Sequence, residues 1–333
     1  MKCGLKFFTL LLLVFLISGC DQPEPVKIGF LLHAFDKERW ENDRDYFVAR
    51  AEELGATVDV MDAGNNAGTQ LKQAQQLLSE GVKVLVVVPV DQFAAARIVE
   101  EAHKNDARVI SYDRLILNCK LDYYVSTDNV EIGELQADYL TRIKPSGKYA
   151  LIGGARNDHN SQFLYLGQMN ILSPLVEKGD VQLVYNTFTE QWSEEEGYTL
   201  TREMLTKTAN KVDAIIAGND AIAIGAIKAL EESKLAGIVL VAGMDADLKN
   251  LQEIVKGTQT CTIFKPIQKM ASAAAEMAVR LARGETCERS FQTTSNGEML
   301  VPSLLENGVV VTRDNLKLTV VSEGYQKEED IFK

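Results

Sequence analysis

The sequence has little of what catalysis and nucleic-acid binding require. Histidine occurs only three times in 333 residues, as His33, His103 and His159. The G-x-S-x-G elbow, the H-E-x-x-H zinc motif and the G-x-x-x-x-G-K-[ST] phosphate loop are all missing. No basic run interleaved with aromatics appears. The balance of 35 Lys and Arg against 47 Asp and Glu, net −12, repels nucleic acid and anionic membrane and favours solubility. Cysteine is sparse and never in C-x-x-C spacing, so a redox or zinc site has no support. No apolar run is long enough to span a bilayer.

What is present begins at the N-terminus. Lys2 and Lys6 precede an apolar run over residues 7–17, and Ser18 and Gly19 follow it. This is the pattern of a secretory signal. The junction Ile17-Ser18-Gly19-Cys20 resembles the lipobox of bacterial lipoproteins, in which the cysteine is acylated and becomes the new N-terminus. Each buried methylene adds about 0.8 kcal/mol of membrane affinity, so two or more chains anchor stably. We therefore expect a signal peptide over 1–19, a lipidated tether over 20–25 with lipid on Cys20, and an extracytoplasmic, periplasmic location. Loss of 1–19 removes two lysines and no acid, leaving 33 basic against 47 acidic residues, net −14. Cys119, Cys261 and Cys287 then allow at most one internal disulfide, and Cys261 in the extended run 258–264 reads as a small buried apolar residue. Core packing, not disulfides, must carry stability over roughly 310 residues, enough for two domains.

From Val26 onward short apolar strands alternate with amphipathic helices. Residues 26–32, 57–61, 84–88 and 108–112 are strand-like, and 84–88 is wholly apolar, as in a parallel sheet covered on both faces. Helical spacing occupies 44–54, 71–78 and the stretch carrying Ala95, Ile98, Val99 and Ala102. The alternation restarts at 123–126 and runs to a last long helix at 267–283. The expected fold class is α/β, with two doubly wound parallel-sheet lobes in series and a cleft between them.

In open parallel sheets ligands bind beyond the carboxyl ends of the strands. The first half places Glu38, Arg39, Trp40, Asp91, Asp113 and Arg114 there. The second half places Asp158, Asn160, Trp192, Asn219, Asp220 and Asp245 there, and Lys265 follows the strand ending at Phe264. Carboxylates accept from paired hydroxyls, Arg, Lys and Asn donate back, and indoles offer flat apolar faces. This is the inventory for an uncharged pyranose held in a dry pocket. Asp113 repeats the position of Asp245 in the other half. Of the pair Asn219-Asp220 at a helix start, Asp220 is expected to cap and Asn219 to face the cleft. Asp113 with Asp245 also spans the cleft as a glycosidase pair does, but flanking donors keep both ionised, so binding rather than turnover is expected. No cofactor or metal is expected.

These same residues resemble the pentose and hexose branch of the periplasmic binding proteins of type I, above all the D-xylose-binding proteins of ABC transporters. The resemblance runs from Lys27 to about Lys327 and rests on an ordered set of marks: Lys27-Ile28-Gly29, Glu38-Arg39-Trp40, Tyr112-Asp113-Arg114, Asp128-Asn129, Gly133-Glu134-Leu135-Gln136-Ala137, Gly153-Gly154, Gly167-Gln168-Met169, Asn219-Asp220-Ala221, Asp245-Ala246-Asp247, Gly257-Thr258-Gln259-Thr260, Lys265-Pro266-Ile267 and Val301-Pro302-Ser303. It implies sugar held by Arg39, Trp40, Asp113 and Arg114 from one lobe, by Asp158, Asn160, Trp192, Asn219 and Asp245 from the other, and by Lys265 at a crossover. It also implies three interlobe strands, near 126–129, 263–265 and 302–307. Lobe 1 is then 26–128 plus 264–301, and lobe 2 is 129–263 plus 302–333. His33, Phe35 and Asp36, and the stretch 156–162 outside Asp158 and Asn160, depart from the family, which leaves D-xylose, another aldopentose or a hexose open. The implied partners are a monosaccharide and the permease of an ABC transporter, alternatively a sensor kinase or chemoreceptor. The chain is expected to act as a monomer. A repressor of the lactose type shares this core but needs a DNA-reading head where this chain carries its export signal.

Overall fold

The computed structural model describes residues 25–35, 38–287 and 292–333. The expected signal, Cys20 and Asp36 lie outside the described residues.

The first unit alternates β1 (Val26–Leu32), α1 (Glu38–Glu53), β2 (Ala56–Asp62), α2 (Ala67–Ser79), β3 (Val84–Val87), α3 (Ala96–Lys104), β4 (Arg108–Tyr112) and β5 (Tyr123–Thr127). The second runs through α4 (Asn129–Ile143), β6 (Gly147–Ala155), α5 (His159–Lys178), β7 (Val181–Thr189), α6 (Glu194–Thr208), β8 (Ala214–Ala217), α7 (Asp220–Glu232), β9 (Leu240–Met244), α8 (Leu248–Lys256) and β10 (Cys261–Phe264). The chain then returns to the first unit with α9 (Ile267–Ala282), β11 (Gln292–Ser295) and β12 (Leu300–Glu306), and reaches the second again at β13 (Val309–Val311).

The strands form two sheets, ordered β11-β12-β5-β4-β3-β1-β2 and β13-β10-β9-β8-β6-β7. All pairings are parallel except β11 with β12 and β10 with β13, which close one edge of each sheet. The apolar strand β3 is buried throughout, as expected of a sheet covered on both faces. Helix α9 crosses back over β1 and α1, with Met270, Ala271, Ala274, Ala275 and Ala278 buried against Phe30, Phe47 and Ala51.

Several of the family marks serve packing between elements, not the cleft. A Cβ on Gly133 would stand 2.1 Å from the Leu164 carbonyl oxygen, and one on Gly167 would stand 1.9 Å from that of Val130. Helices α4 and α5 therefore touch backbone to backbone through these two glycines. Gln136, fully buried, donates to the carbonyls of Ala217 and Gly243 and accepts from Gln168, which ties both helices to the sheet.

The chain passes between the sheets at 128, at 265–266 and at 307–308. The last passage differs from the expected change at 301/302. Residues 303–306 pair in register with 124–127, and the Glu306 carbonyl accepts from Asp128 N–H at 2.9 Å. Pairing thus runs to the strand's last residue, so 302–306 belongs to the first sheet. Cys119 and Cys261 are buried free thiols. Among the described residues no helix is long and apolar enough to cross a membrane.

Candidate functional site

Each sheet changes winding direction once, between β1 and β3 and between β6 and β8. Loops leave neighbouring strands there toward opposite faces, which opens a crevice at the carboxyl ends. The two crevices face one another across a shared cavity of about 360 Å³, at the small end of ligand pockets. All ten sequence-predicted residues line it: Arg39, Trp40, Asp113, Arg114, Asp158, Asn160, Trp192, Asn219, Asp245 and Lys265.

Arg39 and Trp40 lie in the first turn of α1, which starts at Glu38 rather than at the expected Arg44. Their side chains are 9% and 4% exposed. The Arg39 guanidinium carbon stands 4.5 Å from the Trp40 ring centroid, and His33 meets the same indole edge-on at 4.7 Å. Two buried carboxylates fix the guanidinium. Nε donates to Asp43 Oδ2 at 3.2 Å, and Nη2 donates to Asp113 Oδ2.

Asp113 and Asp245 occupy equivalent places, one residue past β4 and β9. Both have left-handed backbone, with φ of 62° and 108°. Each N–H donates to the carbonyl of the next strand, Val125 and Ile263 respectively. Aspartate tolerates this conformation better than bulkier residues do. The turn swings each carboxylate over the strand ends. Lys265, 4% exposed on the second crossover, stands 2.9 Å from Asp245 Oδ1 and 4.0 Å from Asp113 Oδ2. Burial alone would raise the Asp113 carboxyl, but Arg39 and Lys265 overturn this and hold it well below the usual carboxylate range. The adjacent Asp113 and Arg114 are not each other's partners, since Arg114 Nε pairs with Asp158 Oδ2 at 3.2 Å.

Asp158 caps α5, accepting from Asn160 N–H at 3.0 Å, and its other oxygen accepts from Trp192 Nε1 at 3.2 Å. Its carboxylate therefore organises Arg114 and Trp192 as well as lining the cavity. Trp192 lies flat over Gly154, where an added Cβ would stand 2.0 Å from its ring. The cap falls to Asn219 and not, as expected, to Asp220. Asn219 is the cap, its Oδ1 accepting from Ile222 N–H at 3.0 Å, while its residue still lines the cavity. Asp220 is fully buried below, accepting from Gln259, Thr262 and Asp247 N–H. Burial, then Asp247 and Asp245, push its carboxyl well up. Either residue type can cap, so the dipeptide alone does not decide.

Among the described residues several contacts cross the cleft. Asn160 Nδ2 donates to the Asp113 carbonyl at 3.1 Å and to Asp113 Oδ1 at 3.3 Å, Arg114 pairs with Asp158, and His159 N–H donates to Gln92 Oε1 at 3.1 Å. Three residues that line the cavity each carry a buried oxygen without a hydrogen bond among the described residues: Asn129 Oδ1, Asn160 Oδ1 and Asp245 Oδ1. The last has only the Lys265 ammonium, at ion-pair distance but without hydrogen-bond alignment. Sequence reasoning missed Asn65, Gln92, Glu190 and Gln191 as lining residues, and did not assign Asn129 to the site. The rule that singled out Asp91 and Trp192 applies equally to their neighbours in the same loops.

The chain matches the periplasmic binding protein domain over residues 28–286. It is 39% identical over 331 residues to the D-xylose-binding periplasmic protein of Escherichia coli K12, covering 99% of this chain and 100% of that one. It is 38% identical to the D-xylose-binding periplasmic protein of Haemophilus influenzae, covering 100% of both. The carbohydrate transporter solute binding protein from Chloroflexus aurantiacus, solved with D-glucose, aligns with a TM-score of 0.86 at 28% identity, covering 92% of this chain and 98% of that one. A match of this span, on two sheets that face each other across one cavity, makes the chain a member of the periplasmic binding protein family.

Proposed function

We propose that the chain binds a neutral monosaccharide, D-xylose or a related aldose, outside the cytoplasm and delivers it to an ABC sugar permease. The observation that carries this reading is the cavity wall. Two indoles, Trp40 from one half and Trp192 from the other, share it with buried carboxylates, amides and cations that alternate as acceptors and donors. A pyranose presents apolar C–H faces and a rim of hydroxyls, each able to donate and accept. Asn129, Asn160 and Asp245 line the cavity with side chains that can accept from sugar hydroxyls. Two of the five N–H donors of Arg39 are used by Asp43 and Asp113, and the rest are available to ring or hydroxyl oxygens. A charged ligand fits less well, because the anions at Asp113, Asp158 and Asp245 already have cationic partners.

Relatives named for D-xylose, at 38–39% identity over their whole length, support the aldopentose. The sequence at 17–20 supports a lipid on Cys20, which would hold the binder at the membrane beside its permease. Titration calorimetry of the mature protein against a panel of pentoses and hexoses tests the reading. D-xylose or a close aldose should give heat and quench or shift tryptophan emission as the indoles are covered. A panel in which no monosaccharide gives heat or a thermal shift overturns it.

A further inference from the structure

We propose that Asp43, which does not line the cavity, is a positioning residue that holds the Arg39 guanidinium for the ligand, so that ligand and proton compete through its carboxylate. The inference rests on the sugar-binding reading above and adds a residue and a pH response to it.

Asp43 lies one turn after Arg39 on α1 and is fully buried. It accepts from Arg39 Nε through Oδ2 and from the Tyr112 hydroxyl through Oδ1. Tyr112 is the last residue of β4, directly before Asp113, which takes Nη2 of the same guanidinium. One arginine is thus gripped on two edges by carboxylates, one lining the cavity and one behind it. With both anions in place the planar fork has a single orientation, stacked on Trp40. A guanidinium is directional, so loss of one anchor frees it to rotate about the other.

The ionisable groups around Asp43 are few. From its own helix come Arg39 and Tyr46, from β4 and the turn after it Tyr112 and Asp113, from the second crossover Lys265, and from the C-terminal segment Tyr325. Burial pushes the Asp43 carboxyl up to about 6, against the pull of Arg39 and the Tyr112 hydroxyl. Tyr112, raised by burial and by Asp43 itself, stays protonated and keeps donating. Asp113, held low by its cations, stays ionised. Asp43 is therefore the member of this network that changes charge between pH 5 and 7. If the ligand prefers the fixed guanidinium, it prefers ionised Asp43, and by reciprocity binding expels a proton from it.

The experiment is calorimetry with D-xylose on the mature wild type, Asp43→Asn and Tyr112→Phe, each at several pH values from 5 to 8 and in two buffers of different ionisation heat. Wild-type affinity should fall severalfold between pH 7.5 and 5.5, with proton release on binding near pH 6. Asp43→Asn should bind about tenfold or more weakly at pH 7.5, the equivalent of one charge-assisted hydrogen bond, with a flat profile and no proton release. Tyr112→Phe, which removes a donor to the ionised form, should shift the wild-type profile to higher pH, and it keeps the test open if Asp43→Asn does not fold. Wild-type affinity independent of pH, or an Asp43→Asn profile parallel to wild type, overturns the inference. Absence of binding to every sugar by the wild type would instead overturn the functional reading beneath it.

Discussion

Replacing Gly154 by alanine should disable the site from behind. Gly154, next to last in β6, lies beneath Trp192 and does not line the cavity, whereas the indole does. An added Cβ would sit 2.0 Å from two ring carbons and 2.5 Å from a third. Ordinary carbon contacts lie near 3.5 Å, so the ring must yield by about 1.5 Å. The ring lines the cavity, so its retreat from Gly154 changes the cavity wall. A slide of that size breaks the 3.2 Å bond from Nε1 to Asp158 and takes the indole face off the position it would offer a sugar. The bond is worth ~1 kcal/mol and the aromatic contact ~1 kcal/mol, so affinity should fall by about 30-fold. If strand β6 yields instead, the cost appears as ~1–3 kcal/mol of overpacking strain in stability. Calorimetry and thermal unfolding of the same sample separate the two. Unchanged affinity together with an unchanged unfolding midpoint would refute the seat described for Trp192.

The two indoles should respond differently to truncation. Trp40→Ala removes a side chain buried in the first core, so it should cost ~3–5 kcal/mol of stability as well as affinity, while Trp192→Ala, half-buried, should cost mainly affinity; unfolding and binding curves for both decide this. Proton linkage should show in the ligand-free protein too. Asp43 and Asp220 are raised above the unfolded carboxylate value, so their folded forms take up protons first; through Asp43 stability should rise as pH falls from about 6 to about 4, and Asp220 acts in the same direction. Asp113 is depressed, so its contribution is present above about pH 4 and is lost below it. Thermal unfolding of Asp43→Asn beside wild type should show the shallower rise in the variant. Cys20→Ala should leave sugar affinity unchanged but release the chain from the membrane fraction, which fractionation of cells will read.

Much of this was legible in the sequence because strand ends are. An apolar run such as Val84–Val87 marks where a strand stops, and the polar residues just past it must lie at the carboxyl edge. That is how Asp113, Asp245 and Lys265 could be named before any coordinates. The first turn of α1 was not legible. Residues 38–43 are almost all polar, so no apolar periodicity announces a helix there. Asp43 was invisible for the same reason, since a charge in a polar stretch reads as solvent-facing when its burial depends on Tyr112, 69 residues away. The cap at Asn219 in place of Asp220 reflects the near-equal capping strength of the two types. The boundary at 307 was set by pairing between β12 and β5, a long-range contact that local pattern does not carry.

The carbonyl oxygen of Asp113 accepts from the Tyr124 hydroxyl, the Ser126 hydroxyl and, from the facing half, Asn160 Nδ2. A main-chain oxygen is common to every amino acid. The grip of one half on the other at this point therefore survives any exchange of the side chain at 113 that keeps its backbone turn. Evolution or an engineer can retune what the carboxylate recognises there while the jaws still meet at the same spot.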